Sequence, residues 1–534
     1  MQKLNYILPT VLIAAFFVLQ CFTLNYGTEI NDIDFIAEAD IQSSQTGFAG
    51  SGLNILNTSS SDSGDFQEWL KRYKLYSIEA DEIVSLMALS RISPANLDFD
   101  PEFYQYGGSW IYALGFWYHM LDFFDIYPKP NLETLLSNPD LVDEMYIYGR
   151  LFVLISICLS AFLLFKTCTE LTSHSKSIIL LLFYLTTPAI ISYSQIMKPH
   201  WYALIWANMS LLCVVRADKG KGFRFFEQLI TGMGLGLAVG ASLSFGLFSI
   251  GVLIAVLYLV RSKKIESHAT ITMILSALFM FCLTNPYLLL NSLSASAEMD
   301  SLIGWYQIEF KFENVVHFLK NSLVHGFGIG FLACFLLALL MFARGNTQVR
   351  ALMFLAFSTV VILVISTLTS SMPNWQTNYR YCTYLLPLFI YFVASYVNQI
   401  KIEVLIIGLI LNILQAAPLK AAYFDENDPL LSTRQSSAIW INRNIPEGTA
   451  ICVDTNSIAP YEVPPFDFRN YRIRDENCKY LVKVQRHMIN VVHPNGYHPL
   501  QIFTPRFFSE RFPLVFEHIN PVIFIYQSDN TPLK

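Results

Sequence analysis

The chain has 534 residues, of which 54% are hydrophobic and only 14% are charged. The charged fraction is well below the roughly 25% of ordinary soluble domains. A soluble protein of this composition would expose too much apolar surface, so we predict a polytopic α-helical membrane protein. The net charge of −6, with no basic domain to neutralise phosphates, excludes a nucleic-acid-binding protein.

Acidic and basic residues are segregated along the chain, and this predicts its sidedness. Residues 26–149 hold 20 of the 41 acidic residues and only five basic ones, whereas Lys and Arg recur in the later short links. Short cytoplasmic loops carry such an excess of Lys and Arg. We therefore place the N terminus in the cytoplasm, and the first loop and the C terminus outside.

About eleven membrane spans are predicted, since a bilayer core needs about 20 apolar residues per helix. The first, residues 4–24, is read as an uncleaved signal anchor after Lys3. The predicted spans are 4–24, 150–166, 177–196, 200–216, 227–243, 246–260, 268–290, 326–343, 351–370, 381–398 and 403–419. The pair at 227–260 forms either two spans or a short re-entrant hairpin, because it is rich in Gly and Ser.

The first outer loop contains an insertion and two predicted helices. Residues 38–65 are rich in Ser, Gly, Asn and Asp, which is typical of a flexible insertion. A helical period of apolar residues runs over 77–90. The aromatic segment 109–124 is predicted to lie in the membrane interface.

Residues 420–534 are predicted to form a small extracytoplasmic α/β domain, following a transmembrane domain over 1–419. A helix is expected at 432–444, with strands at 450–453, 480–484 and 521–526. Cys452 and Cys478 fall in this region and are either bridged, if the compartment is oxidising, or reduced.

Three carboxylates stand within one turn at the start of the 77–90 helix: Glu79, Asp81 and Glu82. Carboxylates near a helix N terminus are stabilised by the helix dipole, so capping alone accounts for them. The functional alternative is a general base, or a set of ligands, for an incoming acceptor.

Three basic residues are predicted at outer ends of spans: Arg150, Lys198 and Arg380, with His200 beside Lys198. Cations on the outer side suggest a bound anion, and the Arg fork suits phosphate. A headgroup contact, or a salt bridge to the acidic loop, is the structural alternative for each.

The order of these features resembles the GT-C superfamily of polyprenyl-phosphate-sugar glycosyltransferases, especially bacterial relatives of protein O-mannosyltransferase and aminoarabinose transferase. In that group a loop of the form NYG…HPDE…PxxFxYG follows the first helix. The landmarks here are Asn25-Tyr26-Gly27, Asp81-Glu82, Pro101 with Phe103 and Tyr106-Gly107, Arg150, Asn285-Pro286-Tyr287, and Arg380-Tyr381. Glu79 and Ala80 replace the family's His and Pro, and an insertion of about 40 residues separates the two halves of the loop.

The resemblance implies a GT-C-like fold and transfer of a sugar, with inversion, from a polyprenyl-phosphate donor to an extracytoplasmic lipid, glycan or protein. It implies Asp81 and Glu82 as catalytic residues and a bacterial inner-membrane location. The donor phosphate would bind Arg380, Lys198 and Arg150. Glu79, Tyr106, His200 and Tyr381 would position the acceptor or the loop.

No metal-ligand spacing is present in the sequence, although the resemblance leaves a divalent metal open. Two other functions stay open: a lipid-linked-sugar transporter or flippase, and a degenerate GT-C scaffold subunit. The spans hold few ionisable residues, whereas a transporter would carry them near mid-membrane. This favours the enzyme.

Overall fold

A computed structural model describes most of the chain, which is predominantly helical with one small sheet. The described residues are 6–28, 75–79, 81–131, 134–135, 138–305, 313, 316, 318–344, 383–453, 463–467, 470–474, 478–485, 493–507 and 520–529. The predicted insertion at 38–65 and the predicted span at 351–370 lie outside them.

Sixteen α-helices of the described residues are labelled here in chain order. They are α1 Ile7–Cys21, α2 Asp81–Arg91, α3 Gly108–Phe123, α4 Pro139–Leu171, α5 His174–Leu185, α6 Pro188–Tyr193, α7 Pro199–Asp218, α8 Phe225–Ala241, α9 Phe245–Arg261, α10 His268–Thr284, α11 Tyr287–Leu290, α12 Ser292–Trp305, α13 Ile329–Ala343, α14 Leu385–Tyr396, α15 Ile402–Glu426 and α16 Thr433–Asn444. A π-helical segment, Phe318–Phe327, precedes α13.

Two described helices are long and apolar enough to cross a membrane, Asp140–Leu171 and Ile402–Glu426. Seven shorter apolar helices accompany them: Ile7–Cys21, His174–Leu185, Phe225–Ala241, Phe245–Arg261, His268–Thr284, Ile329–Ala343 and Leu385–Gln399. The number of spans, eleven, therefore stays a prediction.

Several helices differ from their predicted bounds; the span predicted over 268–290, for example, is α10 and α11, separated at Asn285 and Pro286. The segment predicted as one span over 177–196 is two helices, α5 and α6, separated at Thr186 and Thr187. Pro188 begins α6, where its missing N–H is tolerated. Helix α4 begins at Pro139 instead of near 150, so Arg150 lies inside the helix and not at its start.

The chain divides into two compact units. The first comprises Met1–Cys21, Ile92–Trp117 and Leu151–Ala417, and the second comprises Phe22–Arg91, Tyr118–Arg150 and Pro418–Lys534. Most of the first loop thus groups with the C-terminal region. The predicted boundary at 419/420 stays a prediction.

In the first unit, α8 packs closely against α10 along three glycines spaced four residues apart: Gly232, Gly236 and Gly240. A Cβ at Gly236 would lie 2.3 Å from the Ala277 carbonyl oxygen, and one at Gly232 would lie 2.2 Å from that of Met273. Small residues at this spacing let the backbones of two membrane helices approach.

The start of α3 is held in the same unit. The Gly107 N–H donates to the Ala241 carbonyl at 3.2 Å, and the Gly108 N–H donates to Asn285 Oδ1 at 2.8 Å. Asn285, noted in the sequence as an outer landmark, therefore fixes the loop that carries the Phe103–Gly107 landmark.

The second unit contains a five-stranded sheet of order β2-β1-β3-β5-β4. The strands are β1 Ala450–Val453, β2 Arg472–Arg474, β3 Tyr480–Gln485, β4 Tyr497–Phe503 and β5 Val522–Ser528. Strand β1 pairs in parallel with β2 and β3, and β5 pairs antiparallel with β3 and β4. A disulfide joins Cys452 on β1 to Cys478 just before β3.

One face of the sheet and α16 bury a hydrophobic cluster, here called the C-terminal core. Its members are Ile78, Ala438, Ile441, Ile445, Ile451, Val453, Val463, Phe466, Tyr471, Tyr480, Val482, Val484, Ile523 and Ile525. Thirteen of these fourteen follow residue 430, whereas Ile78 comes from the first loop.

Candidate active site around Asp81

Glu82 and Arg150 form a buried ion pair inside the second unit. Arg150 donates from Nε to Glu82 Oε1 at 2.9 Å and from Nη2 to Glu82 Oε2 at 2.6 Å. Both side chains are 0% exposed. A two-pronged contact of this kind fixes orientation as well as charge, because the guanidinium fork matches the carboxylate plane.

The same guanidinium binds the backbone that follows the first helix. Its Nη1 donates to the Leu24 carbonyl at 2.6 Å and to the Tyr26 carbonyl at 2.8 Å. Its central carbon lies 4.4 Å from the centre of the Tyr26 ring, a cation–π contact. Burial raises the pKa of the Tyr26 hydroxyl well above its ordinary value, so the ring stays neutral beside the cation.

Asp81 is the first residue of α2 and is half-buried, whereas its neighbour Glu82 is fully buried. Glu79 is also half-buried, and its carbonyl accepts from the Glu82 N–H at 2.9 Å. Ser77 Oγ donates to Glu82 Oε2 at 2.6 Å. The three predicted carboxylates therefore occupy one turn, and Glu82 is the one directed at Arg150.

The end of α15, with Asn427 directly after it, contacts the residues that follow the first helix. Tyr423 packs edge-on against Tyr26 with ring centres 4.7 Å apart. Asn427 Nδ2 donates to Asn25 Oδ1 at 2.7 Å, and Lys420 Nζ donates to Thr23 Oγ1. These residues were not predicted as site residues, because they stand at the end of an apolar span, where polar side chains are ordinary. The one available signal was that residues 420–534 and the first loop were both predicted outside.

Other predicted site residues lie in the first unit. Lys198 precedes Pro199 in an extended conformation, as expected before proline, and His200 follows in the first turn of α7. Both are buried. Tyr106 is half-buried, with its ring edge-on to Phe103 at 5.5 Å. Arg380 and Tyr381 lie outside the described residues.

The structure thus brings Asp81, Glu82, Glu79 and Arg150 together within one unit. Arg150 contacts the acidic loop, which is the structural alternative to phosphate binding for this residue. Its role as a phosphate ligand stays a prediction, as do the roles of Lys198, His200 and Tyr106. Within the described ranges, no group of three His, Cys, Asp or Glu side chains is arranged to hold a metal ion.

The chain was compared with known proteins by sequence and by structure. No family model and no curated protein match the sequence. The chain is similar in structure to ArnT from Cupriavidus metallidurans, whose crystal structure was determined bound to undecaprenyl phosphate. The TM-score is 0.43 and the sequence identity 10%, over 72% of this chain and 83% of that one.

Proposed function

We propose that this protein is an inverting glycosyltransferase that moves a sugar from a polyprenyl-phosphate donor to an extracytoplasmic acceptor. The observation that supports this proposal is the cluster around Arg150. It joins Leu24 and Tyr26, Glu82 and Arg150 itself in one buried network. These positions belong to three separate landmarks of the glycosyltransferase resemblance. One site built from all three accounts for their occurrence in this chain in the order that the family has.

In this proposal the two neighbouring carboxylates have different roles. Glu82 is committed to Arg150 and positions the loop, whereas the half-exposed Asp81 is the general base. Of the five N–H groups of a guanidinium, Arg150 uses four on Glu82 and the two carbonyls. We therefore assign Arg150 to positioning, and the donor phosphate to Arg380 and Lys198.

The proposed reaction is a single displacement. Asp81 accepts the proton of the acceptor hydroxyl while the acceptor oxygen bonds to the anomeric carbon. The bond from that carbon to the phosphate oxygen breaks on the opposite face, and polyprenyl phosphate leaves with the electron pair. Phosphate is already a good leaving group, so the protein mainly supplies an aligned base and positive charge.

The test is the release of polyprenyl phosphate from polyprenyl-phosphate hexoses by the purified protein in lipid nanodiscs. Asp81→Asn keeps the size of the side chain but removes the base, so we expect release to fall about 10²- to 10⁴-fold. Asp140→Asn is the matched control, because Asp140 is an exposed aspartate in the first turn of α4, and it should retain full release.

Two outcomes would contradict the proposal. Unchanged release by Asp81→Asn would exclude Asp81 as the base. Release by the wild type from none of the donors would instead favour a scaffold that has lost the transferase activity.

A further inference from the structure

Ile78, three residues before Asp81, is part of the C-terminal core. Its side chain is 1% exposed and packs in the cluster that α16 and the sheet bury, which includes Ile441, Ile451 and Ile523. A buried isoleucine in such a cluster is held by many close apolar contacts. The first loop is therefore bound to the C-terminal core through a side chain and not only through its backbone.

The Ile78 side chain also packs against Gly27. Gly27 has a φ of +68°, and a Cβ added there would lie 2.1 Å from Ile78 Cδ1. A larger residue is disfavoured at Gly27 both by this backbone conformation and by Ile78. Ile78 thus contacts both the C-terminal core and the Asn25–Gly27 turn, and the carbonyls of Leu24 and Tyr26 beside that turn bind Arg150.

Asp81 is consequently bracketed by two fixed points. Ile78 is held in the C-terminal core on its N-terminal side, and Glu82 is held by Arg150 on its C-terminal side. Ser77, the chain neighbour of Ile78, donates from its hydroxyl to the Glu79 carbonyl at 3.1 Å as well as to Glu82.

We propose that Ile78 is a positioning residue for Asp81 and that the C-terminal core is the surface that sets its position. This inference rests on the proposed function for its catalytic consequence. The C-terminal region would then be an integral part of the site that carries the base, instead of a module that only binds partners.

The kinetic test uses full-length protein and separates the rate at saturating donor from the donor KM. Ile78→Ala removes the side chain that fixes the loop, and displacement of a reacting group by about 1 Å costs about 10²-fold in rate. We expect kcat to fall by this order while the donor KM changes little, because Lys198 belongs to the first unit. Ile78→Val, which keeps a branched side chain, should restore kcat to near the wild-type value.

Ile441→Ala is the matched control, since Ile441 is 0% exposed in the same core but belongs to α16. It should lower the unfolding temperature about as much as Ile78→Ala while keeping kcat when assayed below that temperature. Equal losses of kcat in the two variants would overturn the inference, because Ile78 would then act only through general stability. A wild-type kcat in Ile78→Ala would overturn it as well.

A measurement without substrate separates this inference from the proposed function. Hydrogen–deuterium exchange in the first turn of α2 should be faster in Ile78→Ala than in wild type and unchanged in Ile441→Ala. This result would support the positioning role even if no donor were consumed. Unchanged exchange over 81–91 in Ile78→Ala would contradict the role, whatever the activity.

Discussion

At the scale of single residues, Asp81 and Glu82 are chemically similar neighbours in very different surroundings. Glu82 has lost all contact with solvent, and a charge so placed needs both a counter-charge and hydrogen bonds. Arg150 and Ser77 supply them. Asp81 keeps part of its surface accessible. This difference in solvent exposure is the basis for proposing Asp81, and not Glu82, as the base that takes the proton of the acceptor.

Removal of one partner of the buried pair should be costly. Glu82→Ala leaves the Arg150 guanidinium buried without its carboxylate, so we expect a loss of about 3–5 kcal/mol in the free energy of unfolding. Replacement of both residues by apolar ones, Glu82→Leu with Arg150→Met, should cost less than the two single changes together. Denaturant unfolding in detergent, monitored by tryptophan fluorescence, measures both.

The exposed pair Lys129–Asp122 provides the comparison. Its atoms lie 3.7 Å apart with side chains 54% and 38% exposed, so Lys129→Ala should cost at most about 1 kcal/mol. A Glu82→Ala protein no less stable than Lys129→Ala would show that the buried pair does not stabilise the loop.

The sequence is compatible with the pair of Glu82 and Arg150, but it does not single out Glu82 as the partner of Arg150. Arg150 stands 68 residues from Glu82, and charge pattern alone admits a lipid headgroup, a phosphate or any of the acids in the loop. Which acid loses solvent depends on Ser77, Tyr26 and the carbonyl of Leu24, and only the folded chain brings these together. For the same reason, the family resemblance implied both Asp81 and Glu82 as catalytic residues without separating their roles.

At the scale of elements, the glycines of α8 set the distance to α10. A side chain at Gly236 would meet the Ala277 carbonyl, and a backbone carbonyl in a helix cannot move aside without breaking hydrogen bonds. The two helices must then separate or shift. Because α8 also ends where Ala241 receives the Gly107 N–H, a shift would reach the start of α3.

We therefore expect Gly236→Val to lower the thermal unfolding temperature of the purified protein by several degrees, since over-packing typically costs about 1–3 kcal/mol. Gly246→Val is the control. Gly246 lies in the first turn of α9, and a Cβ there would meet nothing within 4 Å. If the two variants unfolded at the same temperature, close packing at Gly236 would not account for the effect.

Elements were predicted best where one local signal dominated. Strands β1, β3 and β5 lie where strands were predicted, at 450–453, 480–484 and 521–526, whereas β2 and β4 were not predicted. Strand β2 has three residues, and β4 is largely exposed, with Pro499 and an irregular register at its centre. Both are edge strands, and they owe their conformation to a neighbouring strand more than to their own sequence.

At the scale of the whole molecule, the disulfide reinforces the region that receives Ile78. Cys452 and Cys478 are separated by 26 residues. In the chain-entropy account, a cross-link over a loop of this length stabilises by about 3.5 kcal/mol. Cys452→Ser with Cys478→Ser should therefore lower the denaturant midpoint of the C-terminal core by a corresponding amount, as followed by hydrogen exchange of β1 and β3.

Cys282→Ser serves as the control for this change, because Cys282 is an exposed thiol in α10 and takes no part in the bridge. Its denaturant midpoint should match that of wild type. If the double variant also matched wild type, the bridge would contribute nothing to the stability of the core, and the anchoring of Ile78 would depend on packing alone.

The organisation of the second unit could not be read from the sequence. The sequence of the C-terminal region predicted a helix and strands. It did not indicate that this region packs against residues 77–82. Ile78 resembled any apolar residue on a helical face, and its inclusion in a core built from residues after 430 is a long-range contact. Local patterns carry no information on such contacts.

The place of Ile78 in the C-terminal core also bears on the order in which the protein matures. Chains are synthesised from the N terminus, and Ile523 and Ile525 of β5, which share a core with Ile78, are made long after it. Glu82 and Arg150 are both made before the strands of the C-terminal core, so their ion pair can form before the surroundings of Ile78 are complete. Under the proposed function, a nascent chain that still lacks β5 would therefore hold its base poorly placed.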